Sequence, residues 1–211
     1  LTRVAARVMP NLLRLSLAHG VDALRHASEQ LDLAVADRAV QALLDCSGRR
    51  YFTGIGKSGH SAARMASSLS SIGLAAHWVH GTEWSHGELG ALGAGDLIFA
   101  VSQSGSTQEL VWLAEQLQAS QGGVSMLSLT GDAGSPLAQR SELTLTSAVP
   151  PELETLGALP TSSLLAQHHV FNALLCECAS RRDLTAADVL RNHPGGAIGA
   201  SLRADVDLAS T

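Results

Sequence analysis

Residues 51–73 read YFTGIGKSGHSAARMASSLSSIG: an apolar opening, three glycines interleaved with Lys57 and Ser58, then small residues at helical spacing. That order predicts a strand, a tight loop and a helix. Backbone N–H groups at a glycine-rich loop and helix start present the positive end of the helix dipole, so the loop is suited to an anion. A phosphate-binding loop of the GxxxxGK[ST] type needs a glycine where this chain has Tyr51, which excludes that reading. Gly54, Gly56 and Gly59 do satisfy GxGxxG, and Glu83 follows at a distance suited to a ribose contact. Lys57 and the serine-rich helix start nevertheless fit a small, highly charged phosphomonoester or a sugar oxygen better than a pyrophosphate. The plainer alternative is a glycine turn that only lets strand and helix pack closely.

Outward from this loop, short apolar runs alternate with longer helical patterns. RYFTG, AAHWVH, DLIFAVS, VSMLSLT and ELTLTS read as five strands, with helices expected near 59–72, 107–120 and 161–180. Such alternation implies right-handed crossovers and a parallel sheet covered on both faces. Ahead of the sheet, residues 11–30 and 34–45 space their apolar side chains by three and four (Leu12, Leu13, Leu17; Val35, Ala39, Val40, Leu43, Leu44), as amphipathic helices do. The expected fold is α/β: a three-layer α-β-α sandwich on a five-stranded parallel sheet, as one domain over residues 1–211. Residues 1–48 supply N-terminal helices and residues 49–211 the sheet core and C-terminal helices. Met65 and Leu69 read as core. In such sheets ligands collect beyond the carboxyl ends of the strands.

Composition narrows the function classes. The chain has 211 residues, 45% of them hydrophobic, enough for one sizeable core. With 14 basic against 19 acidic residues and a net charge of −5, it has no basic run able to track a phosphate backbone, so no nucleic-acid partner is expected. Cys46, Cys176 and Cys178 lack metal-type CxxC spacing and read as reduced core thiols, which points to the cytoplasm. No apolar stretch is long enough to span a bilayer, and the opening LTRVAARVMP lacks a signal-type apolar region, so no membrane association is expected.

A second loop sharpens the anion reading. After DLIFAVS comes SQSGSTQEL, where Ser102, Ser104, Ser106 and Thr107 crowd a turn entering the next helix. Hydroxyls together with free N–H groups at a helix N-terminus make a nest for a phosphate dianion without arginine. Ordinary N-capping needs only one Ser or Thr. Four hydroxyl residues within six positions exceed that need.

With GIGKSGH, VSQSGSTQEL, LPTSS and NHPGGAIG in this order, the chain resembles the sugar isomerase (SIS) domain family, and within it the arabinose-5-phosphate isomerases. The likeness runs from about Tyr51 to Leu202. It implies a five-stranded parallel sheet between helices. It also implies a phosphate site at Ser102, Gln103, Ser104 and Thr107, with Gly56 and Ser58 beside it. The implied partner is therefore a small sugar phosphate, and the implied assembly a homodimer or tetramer with active sites at subunit boundaries. The apolar N-terminal helices are candidates for that interface, and His193 or the first loop is expected to reach a neighbour's site.

Aldose–ketose isomerisation opens a cyclic sugar, moves a proton between C1 and C2, and stabilises an enediolate. It requires a base within hydrogen-bond reach and a donor or cation near the carbonyl oxygen. The resemblance places four residues on the family's catalytic positions: Lys57, Glu109, Glu152 and His193. On this reading Glu152 transfers the proton, with Glu109 and His193 as the alternatives for that step, while Lys57 faces the oxyanion, His193 opens the ring and Glu109 orients them. A first-turn glutamate such as Glu109 otherwise balances a helix dipole, and Glu152 in PPELE is otherwise a solvated acid. The segment ELETLGALPTSS departs from the family pattern, which has a Cys-Pro pair soon after the acid; Glu154 and Thr155 stand there, leaving Glu152 or Glu154 as the functional acid. Thr161, Ser162 and Ser163 open a helix, where Thr161 and Ser162 either contact sugar hydroxyls or cap it.

His80, Glu83 and His86 are metal-type residues at irregular spacing. No cofactor is expected, since a lysine can stabilise an enediolate without a metal. Adventitious zinc on His86 is the one metal reading. His168 and His169 are expected as one packed and one exposed helix residue. Relatives in this family often carry a regulatory CBS pair after the domain, which would make this either a single-domain form or a truncated one. The rival function is a non-catalytic sugar-phosphate sensor, against which stands the lack of a basic recognition helix before the first strand. Isomerisation of a hexulose or heptulose phosphate would leave the phosphate loop unchanged.

Overall fold

In Tyr51–Phe52 and Ile98–Phe99, neighbouring side chains point to opposite faces of a sheet, and all four are buried. Both faces must therefore be covered. The computed structural model describes residues 11–120 and 122–209. The segment LTRVAARVMP, whose reading concerned a signal sequence, lies outside them.

Two helices, α1 (Leu12–Gln30) and α2 (Leu33–Asp45), precede the sheet. The Asp32 carboxylate caps α2, accepting from the N–H groups of Ala34 at 2.9 Å and Val35 at 3.1 Å. Then follow β1 (Arg50–Gly54), α3 (Gly56–Ser71), β2 (Ala76–His80), β3 (Leu97–Ser102), α4 (Gln108–Ser120), β4 (Ser125–Thr130) and β5 (Leu143–Thr146). The chain ends in α5 (Ser162–Arg181), α6 (Ala186–Asn192) and α7 (Gly196–Ala209), and short 3-10 turns occupy Glu83–His86, Glu88–Ala91, Ala138–Arg140 and Pro151–Leu153.

The five strands are parallel in the order β2-β1-β3-β4-β5. On one face Phe52, Phe99, Leu127 and Leu145 pack against Val40, Leu43, Met65, Leu69, Val170 and Phe171, so α2, α3 and α5 form one layer. Phe52 stacks on Phe99 at 5.0 Å between ring centres, and Phe171 meets Phe52 edge-on at 5.7 Å. Rings buried this deeply contribute about 2–3 kcal/mol each. On the other face Tyr51, Ile98, Ala100 and Met126 meet Leu110, Leu113 and Ala114 of α4, along with Trp84 and Leu137.

The expected three-layer α/β fold and its five strands are therefore present, each strand within a residue of its expected span. Met65 and Leu69 are fully buried, but of the cysteines expected in the core Cys178 is buried, Cys46 partly buried and Cys176 exposed on α5. Of the histidine pair on α5, His169 is exposed and His168 partly buried. One boundary differs, since α3 begins at Gly56 rather than at residue 59. Gly56 sits at φ +59°, a conformation that lets the chain turn directly from strand into helix.

The strand order reverses beside β1: the chain steps from β1 outward to β2, then returns across β1 to β3. The loops leaving β1 and β3 diverge there and open a crevice at the carboxyl edge. These are the two loops whose residue types suit an anion.

Candidate functional site

The first loop is set by close packing. A Cβ on Gly59 would lie 2.8 Å from the carbonyl oxygen of Gly54, so α3 can approach β1 this closely only with glycine there. Ile55 precedes α3 without any side-chain cap. The N–H groups of the first turn are left for solvent or a ligand. Lys57 stands exposed on that turn, and Ser58 is partly buried.

The second loop is fixed by its own hydroxyls. Ser102 Oγ lies 2.8 Å from Thr107 Oγ1 and accepts from the N–H of Gly105 at 3.1 Å, while Ser104 Oγ accepts from the N–H of Ser106 at 3.2 Å. Gly105 has φ +60°, and a Cβ there would stand 2.0 Å from Ser135 Oγ, so this position is closed to other residues. The loop after β4 braces it from behind: Gly131 N–H donates to the carbonyl oxygen of Gln103 at 2.9 Å, and Leu137 N–H to that of Gly105 at 2.9 Å.

Between the loops lies a cavity of about 410 Å³, roomy enough for a small phosphorylated sugar. Ser58, Ser102, Gln103, Ser104 and Thr107 line it, together with Ile55, Glu154, Gly157, Ala158, Pro160 and Ser163. A depression of about 440 Å³ between the end of α4 and the start of β4 lies at the amino edge of the sheet, away from both loops.

The acid in the cavity wall is Glu154. Its Oε2 accepts from Thr161 N–H at 2.7 Å, Thr161 Oγ1 at 2.7 Å and Ser162 N–H at 3.1 Å, and its Oε1 accepts from Ser163 N–H at 2.8 Å. A carboxylate thus caps the start of α5 from eight residues upstream. Partial burial works to raise its pKa, but the hydrogen bonds from Ser163 and Thr161 prevail and hold it at about 2. A carboxylate held this firmly as the anion is a weak base. Sequence reasoning left Glu152 and Glu154 as alternatives; Glu152 lies exposed on the Pro151–Leu153 turn, outside the cavity lining. Thr161 and Ser162 also lie outside the lining, Ser162 Oγ donating to the carbonyl oxygen of Leu153 at 2.7 Å. Neither hydroxyl caps α5, since both donate, and the capping acceptor is the Glu154 carboxylate instead.

Of the four expected catalytic side chains, His193 lies apart from the carboxyl edge of the sheet. Lys57 and Glu109 are exposed on the first turns of α3 and α4, at the carboxyl edge of the sheet. His193 follows α6, whose Asn192 donates to the carbonyl oxygen of Ser71 at 3.1 Å, at the far end of α3. Thirteen residues of helix separate Ser71 from Ser58, about 20 Å at 1.5 Å per residue. His86 and Glu83 are exposed, His80 Nδ1 is engaged with Thr82 Oγ1 at 2.8 Å, and among the described residues no three His, Cys, Asp or Glu side chains gather as a metal site.

Two contributors, Trp84 and Gln167, had gone unread, and Glu154 had been read only as an alternative acid. Glu154 acts through a loop that folds back on itself, which spacing does not reveal. Trp84 is buried and donates from Nε1 to Thr53 Oγ1 at 2.9 Å, tying the segment after β2 to the floor of the crevice. Gln167 sits in the interior of α5 and reaches both loops. Its polarity at a core-facing position was the available signal.

No described helix is long and apolar enough to cross a membrane. Comparison with known proteins agrees with this geometry. The SIS domain signature matches residues 43–176, and the chain belongs to the SIS domain family. It is 36% identical over 186 residues to arabinose 5-phosphate isomerase KdsD of Pseudomonas aeruginosa, covering 87% of this chain and 56% of that protein. It is 34% identical over 165 residues to arabinose 5-phosphate isomerase GutQ of Salmonella typhimurium, covering 78% of this chain and 51% of that one. The chain thus spans about half the length of these curated relatives. Among solved structures, an Escherichia coli CFT073 protein in complex with A5P superposes with a TM-score of 0.79 at 27% identity, over 88% of this chain and 97% of that one.

Proposed function

We propose that this member of the SIS family is a sugar-phosphate aldose–ketose isomerase that interconverts D-ribulose 5-phosphate and D-arabinose 5-phosphate through an enediol. The observation carrying this reading is the cavity at the strand-order reversal, walled by Ser58, Ser102, Gln103, Ser104 and Thr107 and flanked by two helix starts. Hydroxyl and amide donors grouped there suit a phosphate dianion. The relatives named arabinose 5-phosphate isomerases support the choice of sugar.

With the phosphate held by the second loop, the sugar carbons extend toward the first. Lys57 then stabilises the oxyanion that develops as a base removes the C2 proton of the aldose, and the proton returns at C1 to give the ketose. We assign the base to Glu152, because Glu154 is committed to the start of α5 and held as the anion. Glu109 orients the polar groups around it. His193 opens the sugar ring, and because it lies at the far end of α3 from its own chain's cavity, it serves the cavity of a second copy. The functional unit is therefore a homodimer or tetramer, with no cofactor required.

Incubation with arabinose 5-phosphate, ribulose 5-phosphate and hexose or heptulose phosphates in D2O, followed by NMR, tests the reading. Deuterium incorporation at C2 with the pentose pair alone is the expected result; uptake only with a longer sugar would reassign the substrate. One observation favours a sensor as second reading: a single chain completes the anion cavity but not the acid–base set. Binding of arabinose 5-phosphate without any deuterium exchange would establish it.

A further inference from the structure

Resting on the phosphate-site reading above, we propose that Gln167 is a positioning residue that biases both loops toward donating to the anion. Its side chain is wholly buried in α5, and its amide nitrogen donates twice, to Ser58 Oγ at 3.3 Å and to Gln103 Oε1 at 2.9 Å. Among the described residues no other side chain is hydrogen-bonded to both loops. Ser58 and Gln103 line the cavity and Gln167 does not, so it acts through them.

The chemistry follows from which atom is occupied on each partner. Once Ser58 Oγ accepts from Gln167, its own hydrogen is the group left to donate. Once Gln103 Oε1 accepts from Gln167, one of its two lone pairs is taken, and the two N–H groups of the NH2 become the larger part of what that carboxamide still offers. Gln103 is fixed further by the close approach of Gly131, where a Cβ would stand 2.2 Å from Nε2. A phosphate dianion only accepts hydrogen bonds. One buried amide therefore biases the polarity of both loops toward it.

The third observation is a cost. Gln167 Oε1 is buried with no hydrogen-bond partner among the described residues. A buried acceptor left unpaired disfavours the fold, so Gln167 is a poor choice for packing alone. Its two donated bonds are what the position provides.

The test uses Gln167→Met, an isosteric change that keeps core volume, with steady-state kinetics on arabinose 5-phosphate, calorimetric titration of inorganic phosphate, and thermal melts. The expected result is a rise of about tenfold in both KM and the phosphate Kd, with kcat within about threefold and Tm unchanged or higher. In a Ser58→Ala/Gln103→Leu background the same substitution should add nothing. A lowered Tm with KM and phosphate Kd unchanged would mean a purely structural role and overturn the inference. Should Gln167→Met fail to fold, Gln167→Glu keeps the shape but offers only acceptors to both loops; it should weaken phosphate binding more than tenfold, and unchanged binding would overturn the inference. If wild-type protein binds neither arabinose 5-phosphate nor phosphate, the site reading falls and takes the inference with it. If wild type binds and Gln167→Met binds equally well, only the inference falls.

Discussion

The loop after β3 is braced from several sides: by its own hydroxyls, by the loop after β4 through Gly131, and by Gln167 of α5. The segment His193–Gly196 has much less behind it. It runs between α6, which has no buried residue, and α7, it leaves Ile198 56% exposed nearby, and Asn192 is its side-chain tie to the body at Ser71. Both stretches carry motifs of the same family. The difference teaches that an anion cradle can be braced wholly within one fold, whereas His193, among the groups proposed to move protons, lies away from its own chain's cavity.

Mixing inactive variants is the hardest test of that contrast. His193→Ala and Lys57→Ala should each lower kcat at least about 100-fold without changing Tm. Co-refolded in equal amounts, they should recover about one quarter of wild-type activity, because half of statistically mixed dimers contain one site with both native groups. No recovery would place His193 in its own chain's site and erase the contrast.

Ser104→Ala probes the other side of it. KM and the Kd for inorganic phosphate should rise about tenfold while kcat changes little, opposite in pattern to Lys57→Ala. If both variants lose the same parameter, grip and chemistry are not divided between the loops.

The smallest effect concerns the wall they share. Glu154→Gln should lower stability by about 1–2 kcal/mol in urea melts, the cost of a lost helix cap. The sign of the pH dependence follows from the carboxyl's folded pKa of about 2 against an ordinary 4.5. Its contribution is complete above pH 4.5 and lost as pH falls from there toward 2. Wild type and Glu154→Gln should therefore converge in stability across that window, and parallel curves would show that the capping charge is immaterial.

The sheet was legible because strands covered on both faces need continuous apolar runs, and DLIFAVS or VSMLSLT have no other comfortable place. Ser102, Gln103, Ser104 and Thr107 were legible for a related reason: their density exceeds what capping requires. Glu154 was legible as an alternative acid, but its place at the start of α5 escaped because its partners Thr161 and Ser163 lie seven and nine residues on, across a turn that no periodicity describes. Gln167 escaped because a single polar residue in a helix reads as solvated until its direction is known. The start of α3 was misplaced by three residues because glycine is a weak helix former, and only the positive φ of Gly56 shows that it belongs to the turn. His193 was legible as a motif, but its distance from the cavity depends on how α6 folds against the end of α3.

The walls of the cavity contain no histidine, cysteine or lysine, and their one carboxylate is fully ionised far below neutrality. Across the range in which most proteins change their charge, this cradle keeps the same electrical face. A phosphomonoester loses its second proton near pH 6, so a bend in affinity there that survives in His193→Ala would be written by the guest rather than the host.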